Sequence, residues 1–428
     1  MERTRIKCDF NHSQIENYSM IRNYSFFLIL LTVFSFSSAQ SILGLQYPMG
    51  LTVNSETGFG ASCAGTGTGV QDEFLIMSKN VANLGSLNRA VFSSIISIDF
   101  TDLVDSKNKT WIAGFNPRNL SLSVPIAEYG SIGFAFNQTN SNNVSFRLSE
   151  PFNVGWLSDT ADLGLVQNSG VNEWKLGYGY SITRWLRMGI AYKRIYFNRN
   201  TSSVKIIRGS VEDTLIDSTS ISFRGNGISG GILIPVKKFT FGFSGDYVFP
   251  SDAQQYSMKR GTRVDSDYDD SLIQNKSRYE FRPPPSFSVG LSYQISPEWI
   301  TAMDAGGVLW NKYYPQLTDT RDVDNAYSFS LGTQYIPEPD RLSPGYFETV
   351  RYRAGFRYSQ LPVSTASEFA LSLGFGLPLQ QGAGFLDIVM EGGRRSDSNY
   401  DNYSEKFLSI KLGINGGRKW YQSSESGY

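Results

Sequence analysis

The stretch EWKLGYGYSITRWLRMGIAYKR, Glu173 to Arg194, decides the fold. Trp174, Leu176, Tyr178 and Tyr180 alternate with Lys175, Gly177, Gly179 and Ser181. Successive residues of a strand point to opposite faces, so the bulky side chains share one face. After the short ITR turn, Leu186, Met188, Ile190 and Tyr192 repeat the pattern. Two alternating runs joined by a short turn read as an antiparallel hairpin. The other face carries Gly, Ala, Ser and scattered charges, which suits a crowded interior better than a water-facing sheet.

The same pattern recurs on both sides of this hairpin. Ala90, Phe92, Ser94, Ile96, Ile98 and Phe100 form one face, followed by Leu120, Leu122, Val124 and Ile126, then Ile132, Phe134 and Phe136. Ile228, Ile232 and Ile234 turn at PVKK into Phe239, Phe241 and Phe243, and Phe287 to Tyr293 turn at ISPE into Ile300 and Ala302. Tyr327, Phe329 and Leu331 precede Tyr352 to Tyr358, Phe369 to Leu377, Leu386 to Met390 and Leu408 to Ile414. Counted from Asn88, this gives roughly 14 strands, an even number, as single-chain bacterial barrels have. Short turns at 127–130, 182–185, 235–238 and 295–298 alternate with segments read as long polar loops near 101–116, 139–171, 199–220, 250–284, 311–325 and 394–404. That asymmetry between rims is typical of outer-membrane barrels. The prediction is an all-β, transmembrane antiparallel barrel, with a secreted β-sandwich or propeller as the alternative.

Composition agrees. Aromatics make up 14% of the 428 residues, Gly counts 41 and charged residues are 18%, a profile rich in strand and turn formers. Formal net charge is zero, which gives no footing for a nucleic-acid partner.

The apolar run FFLILLTVFSF, Phe26 to Phe36, is too short to span a bilayer and suits a secretory signal. With SSA following, cleavage is expected after Ala39, making residues 1–39 a signal peptide with an upstream extension; Met1 and Met20 both stand as starts. His12, the sole histidine, and Cys8 would leave with it, so Cys63 would be the only cysteine remaining. Such a chain has no imidazole for acid–base or metal chemistry and no internal disulfide. Neither catalytic residues, a metal nor a cofactor is expected, although a Ser–Lys or paired-carboxylate site is not closed off by composition.

Residues 40–87 precede the first strand and lack its alternation. They hold GASCAGTGTG and DEFLIMSKNVANLGSL, with Ala64, Gly65, Gly67, Asp72, Asn80, Ala82, Asn83 and Leu84 in a spacing that resembles the N-terminal pattern of the FadL/TodX family of long-chain fatty acid and hydrocarbon transporters. Val81 stands where the family usually has Pro. PPPSFSVGLSYQISPEWITAMDAGGVLWNKYYP (283–315), YRAGFRYSQLPV (352–363) and FLSIKLGINGGRKWYQ are similar to later parts of it, the last to members from Bacteroidota-like bacteria. The resemblance implies a barrel at 88–415 whose lumen is closed by an N-terminal plug, or hatch, at 40–87, and a periplasmic tail at 416–428. It also implies capture of a hydrophobic small molecule by outer loops and its passage to a pocket above the plug. Outer-membrane lipid and lipopolysaccharide would surround such a barrel. The rival implication is a PorV-like scaffold that shuttles or anchors secreted proteins in type IX secretion. A kinked or interrupted strand beside an apolar lumen would favour transport; a polar, blocked lumen with large ordered loops would favour a scaffold.

The faces assign Lys175, Arg187, Lys193, Arg353 and Arg357, with Asp99, Glu173, Asp246, Asp387 and Glu391, to the inside. These charges either pair across the lumen or present a cation to a substrate carboxylate. Arg353 and Arg357 lie on one side of one strand and are the first candidates, followed by Lys175 and Lys193. Phe146 and Trp156 in an outer segment could capture a greasy ligand or pack on their neighbours. GTGTG, Gly65 to Gly69, lacks the spacing and context of a phosphate loop and reads as plug. DSDYDD, Asp265 to Asp270, could hold calcium but lacks the Gly and Glu of an EF-hand, and reads as a solvated loop.

Overall fold

The computed structural model describes residues 41–418 except 42, 48, 73, 76, 78, 105–108, 127–128, 155–156, 209–212, 264–270, 311–322, 340–344, 363–364, 380–383 and 399–403. The expected signal peptide, Trp156, the acidic loop Asp265–Asp270 and residues 419–428 lie outside the described residues.

A two-residue strand β1 (Leu51–Thr52) precedes the wall. The wall runs from β2 (Ala90–Val104), β3 (Lys109–Pro125), β4 (Ser131–Val154) and β5 (Leu157–Thr183) through β6 (Leu186–Arg208), β7 (Asp213–Val236) and β8 (Phe239–Val248). It continues with β9 (Ser251–Arg263), β10 (Ser271–Phe281), β11 (Ser286–Ser296), β12 (Trp299–Val308) and β13 (Ala326–Tyr335), and ends with β14 (Arg351–Gln360), β15 (Ala366–Pro378), β16 (Gly384–Asp397) and β17 (Ser404–Arg418). All pairings are antiparallel, and β17 pairs with β2 from Ser404 opposite Val104 to Arg418 opposite Ala90, which closes the sheet on itself. Closure removes the edges that an open sheet would expose. β17 passes the boundary expected at 415 and ends at Arg418.

Two of the wall strands are broken at one height. β8 pairs with β7 and β11, while β9 pairs with β7 and β10. β8 and β9 are therefore one strand interrupted at Phe249 and Pro250, and β10 and β11 one strand interrupted at Arg282 to Pro285, giving a wall of fourteen strands. Proline has no N–H for the ladder, so Pro250 and the run Pro283, Pro284 and Pro285 account for the interruption.

The segments expected as long polar loops near 139–171, 199–220 and 250–284 are instead β-structure: β4 with β5, β6 with β7, and β9 with β10 continue as paired strands well past the apolar positions. The strand ladder needs backbone groups, not apolar side chains, and 199–220 in particular is rich in Val, Ile and Thr that suit extended backbone. Loss of apolar alternation marks where the strand leaves the bilayer, not where it ends.

Across the apolar stretch the outward positions are exposed bulky residues, such as Leu176, Tyr178, Ile190, Phe241, Leu331 and Leu371. Trp185, Trp299 and Tyr335 mark one end of this belt and Tyr192, Tyr247 and Tyr358 the other. Aromatic girdles flanking an apolar band about 25 Å tall are the mark of a lipid-embedded barrel. No described helix is long and apolar enough to cross a membrane.

Candidate functional site

The described residues between 41 and 87 lie against the inward faces of the strands, with Tyr47, Phe59, Phe74, Leu75, Met77 and Leu84 fully buried. The segment's regular elements are a 3-10 helix at Leu43–Gln46, the strand β1, a short helix α1 (Gly58–Ser62) and a 3-10 helix at Val81–Ser86. The second 3-10 helix meets the wall at glycines. A β-carbon on Gly179 would overlap Leu84, on Gly189 the backbone of Val81, and on Gly231 the side chain of Asn80. Gly242 and Gly290 give the same close approach to Thr68 and Gly69, and Gly332, Gly355 and Gly374 to Ser62 and Cys63. The segment is thus ringed by inward glycines on successive strands, with backbone packed on backbone.

Polar anchors complete the seat. Asn80 caps the 3-10 helix by accepting from the Ala82 amide at 3.0 Å, and its side-chain amide donates to the carbonyls of Ile232 at 3.1 Å and Phe243 at 3.3 Å. Asn80 thereby supplies the entry that a proline at Val81 would otherwise favour. Asp72 accepts from the Phe74 amide at 2.9 Å and lies 3.7 Å from Arg351. Gly65 has φ +86°, in the region open to glycine, and opens the GTGTG turn. The amides of Gly67 and Thr68 both donate at 2.8 Å to Asp304 on β12. GTGTG does cradle an anion, and that anion is a carboxylate of the wall. Ala82 and Leu84 are buried against the wall, and Asn83 is buried with its side-chain amide unpartnered among the described residues.

Arg353 and Arg357 both point inward from β14, but neither is spare. Arg353 pairs with Asp387 at 2.8 Å, and donates to Gln334 at 2.7 Å and to the Gly58 carbonyl at 3.2 Å. Arg357 pairs with Glu368 and Glu391, each at 2.8 Å, and donates to the Ala64 carbonyl at 3.1 Å. Arg395 and Lys411 complete the network on Glu368 and Glu391, both at 2.6 Å. Across the barrel, Lys175 sits 3.0 Å from Glu173, and Lys193 2.9 Å from Asp246.

Above the seated segment lies a cavity of about 370 Å³, within the usual range for small-molecule sites. Its floor includes Leu51, Val53, Ala64 and Gly65. Val171, Ile195, Val248 and Trp310 supply an apolar wall, Pro283 and Pro284 bring the strand break to its edge, and Lys175, Lys193, Glu173, Asp246, Arg357 and Glu368 add charge. Of the residues singled out from sequence, Lys175, Lys193, Arg357, Glu173, Asp246 and Gly65 line the cavity. Arg353 lies outside it, bound to α1. Phe146 is on β4, opposite Leu165 of β5.

The apolar wall was not expected from sequence. It continues into a cluster with Phe197, Ile221, Phe223, Ala253 and Phe281. Its signal is a change of parity: Tyr192 faces out and Ile195 and Phe197 face in, on one uninterrupted strand. In KRIYFNRN the apolar residues Ile195 and Phe197 take the inward parity while Arg194, Tyr196 and Asn198 take the outward one, which marks a height where the inner face is apolar.

The fold has close counterparts. A Pseudomonas aeruginosa FadL homologue superposes with TM-score 0.60 at 12% identity, covering 87% of this chain and 99% of that one. The toluene transporter TbuX of Ralstonia pickettii gives 0.59 at 13%, covering 85% and 99%, and the P. putida toluene transporter TodX 0.59 at 13%, covering 86% and 100%. At these identities the likeness is one of fold. No curated protein matches the chain. The profile of the BamG family matches residues 20–425.

Proposed function

The chain belongs to the BamG family, and on that footing we propose that it is a passive, cofactor-free outer-membrane conduit for hydrophobic small molecules. The observation that carries this reading is the cavity walled by Val171, Ile195, Val248 and Trp310, directly above residues 41–87 acting as a plug. Its position beside the interrupted strands β8/β9 and β10/β11 supports the same reading.

Charge balance narrows the ligand. Lys175 and Lys193 face Glu173 and Asp246, two cations against two carboxylates, and Arg357 already holds Glu368 and Glu391. A fatty-acid carboxylate bound to Lys175, Lys193 or Arg357 would have to displace one of these partners, at the cost of leaving a buried charge unpaired, and the further lining cation is Lys79. A hydrocarbon or another uncharged ligand makes no such demand. Arg357, Lys175 and Lys193 then serve to hold the floor, and Arg353 to hold α1.

Mass spectrometry of lipid extracts from the purified barrel, with uptake into protein-loaded vesicles, tests the proposal. Uncharged hydrophobic ligands should copurify, and Val248→Trp, which fills the cavity, should cut their uptake about ten-fold, worth about 1.4 kcal/mol. Uptake that ignores Val248→Trp would rule the cavity out as the route.

One arrangement favours the second reading, a scaffold for a secreted protein. The plug is seated on glycines around the wall, and β4 to β7, β9 and β10 rise past the cavity as ordered sheet. Copurification of an exported protein with an empty cavity would decide for it.

A further inference from the structure

We propose that Arg194 and Arg224, on the outward face of β6 and β7, form a binding site for the phosphorylated headgroup of an outer-leaflet glycolipid. The site rests on the outer-membrane placement of the barrel and is independent of what the lumen carries.

Tyr192 and Ile228 are exposed outward residues of the apolar belt. Strand alternation puts Arg194, Tyr196, Arg224 and Asn226 on that same face, one or two steps farther along. Tyr196 stands opposite Arg224 and Arg194 opposite Asn226. The two arginines are therefore diagonal neighbours, about 7–8 Å apart at the backbone, a spacing that lets two guanidinium groups close on one phosphate. The level is fixed by aromatics: Trp174 stands directly opposite Arg194, and Tyr192 and Tyr247 flank Ile228 one outward step down. Trp174 donates to the Tyr196 hydroxyl at 3.3 Å, Tyr192 donates to Asn226 at 2.7 Å, and the Tyr247 and Phe249 rings meet edge-on at 5.6 Å.

Arg194 is held ready. Its guanidinium lies 5.7 Å from the Tyr196 ring centroid, and its Nε is buried with no hydrogen-bond partner among the described residues. An unpartnered buried donor on a cation calls for an acceptor. The register that sets Phe223 opposite Ala253 brings Asp252 beside Arg224, and Asp252 pairs with Arg278 at 3.3 Å while Glu280 pairs with Arg282 at 3.1 Å, so these two carboxylates are shared with two further arginines. What remains is positive charge over an aromatic shelf at the lipid–water boundary. A phosphorylated sugar headgroup sits at that level, with its acyl chains running down over the shelf.

Native mass spectrometry of the full-length barrel in detergent tests this, with diphosphoryl lipid A, dephosphorylated lipid A of the same acyl composition, and inorganic phosphate as probes. The wild type should retain the diphosphoryl form about ten-fold more than the dephosphorylated one, and Arg194→Gln with Arg224→Gln should erase the difference. Equal retention of the two lipids, or a double variant that behaves as wild type, would overturn the site. Displacement of the lipid by millimolar inorganic phosphate would make free phosphate the ligand and overturn it as a lipid site. Should the double variant fail to fold, Arg224→Gln alone, at an exposed position, carries the test. Vesicle uptake of a hydrophobic probe should be equal in wild type and variant, so failure here and failure of the conduit reading are told apart.

Discussion

The N-terminal segment proposed as a plug meets the wall in two different ways. Along β5, β6 and β7 the 3-10 helix rests on Gly179, Gly189 and Gly231, and the fit is one of shape. Along β14 to β17, α1 and its following turn are held by Arg353 and Arg357 and a network of Glu368, Glu391, Arg395 and Lys411. The first contact is short-ranged and fails if a single carbon is added; the second depends on charges that balance one another across four strands. A seat made of both is intolerant of different kinds of change on its two flanks.

The largest effect should come from the charged flank. Arg353→Ala leaves Asp387 buried without its partner, and about 3–5 kcal/mol should be lost, read as a fall in the temperature at which heat-modified mobility in gels is lost. Arg353→Met combined with Asp387→Leu should recover most of it, because removal of both charges leaves none uncompensated; no recovery would mean that the Gly58 and Gln334 contacts carry the anchor. On the other flank Gly179→Val should cost about 1–3 kcal/mol by overpacking against the Leu84 β-carbon and the Gly85 backbone nitrogen. A Gly179→Val barrel of wild-type stability would show that the plug can shift off this flank. Asp304→Asn, which replaces the acceptor of the Gly67 and Thr68 amides by a neutral one, should cost about 1–2 kcal/mol and loosen hydrogen exchange at those two amides first.

The smallest effect concerns Cys63, between the two flanks. Burial pushes its thiol up to about 12, so the folded chain keeps the proton that an unfolded chain gives up at lower pH. The contribution to stability is full at neutral pH and declines as pH rises from the ordinary thiol range towards 12. At pH 8 the folded protein should resist a maleimide and react only after unfolding; rapid labelling would place the thiol at an opening of the plug.

The barrel was legible because a lipid-facing strand must alternate, and EWKLGYGY and its counterparts do so. The outer half of the wall was not, since above the bilayer neither face of β9 or β10 has to be apolar and the sequence there looks like loop. Arg353 and Arg357 were rightly seen to share a face, but a strand's periodicity says nothing of what stands opposite. Only the fold brings Asp387, Glu368 and Glu391 to them. The glycines were visible in most of the alternating runs, and their meaning, room for another stretch of backbone, needed the partner in place.

The matching interruptions at Pro250 and Pro283 to Pro285 have a consequence for how such a chain can change over time. Below them β8 and β11 pair directly, from Asp246 opposite Ser286 to Phe239 opposite Tyr293. Residues 251–282 are therefore an insert bounded by its own joints. Its length and composition can drift, or the whole hairpin can be lost or exchanged, without altering the number of staves in the barrel beneath it.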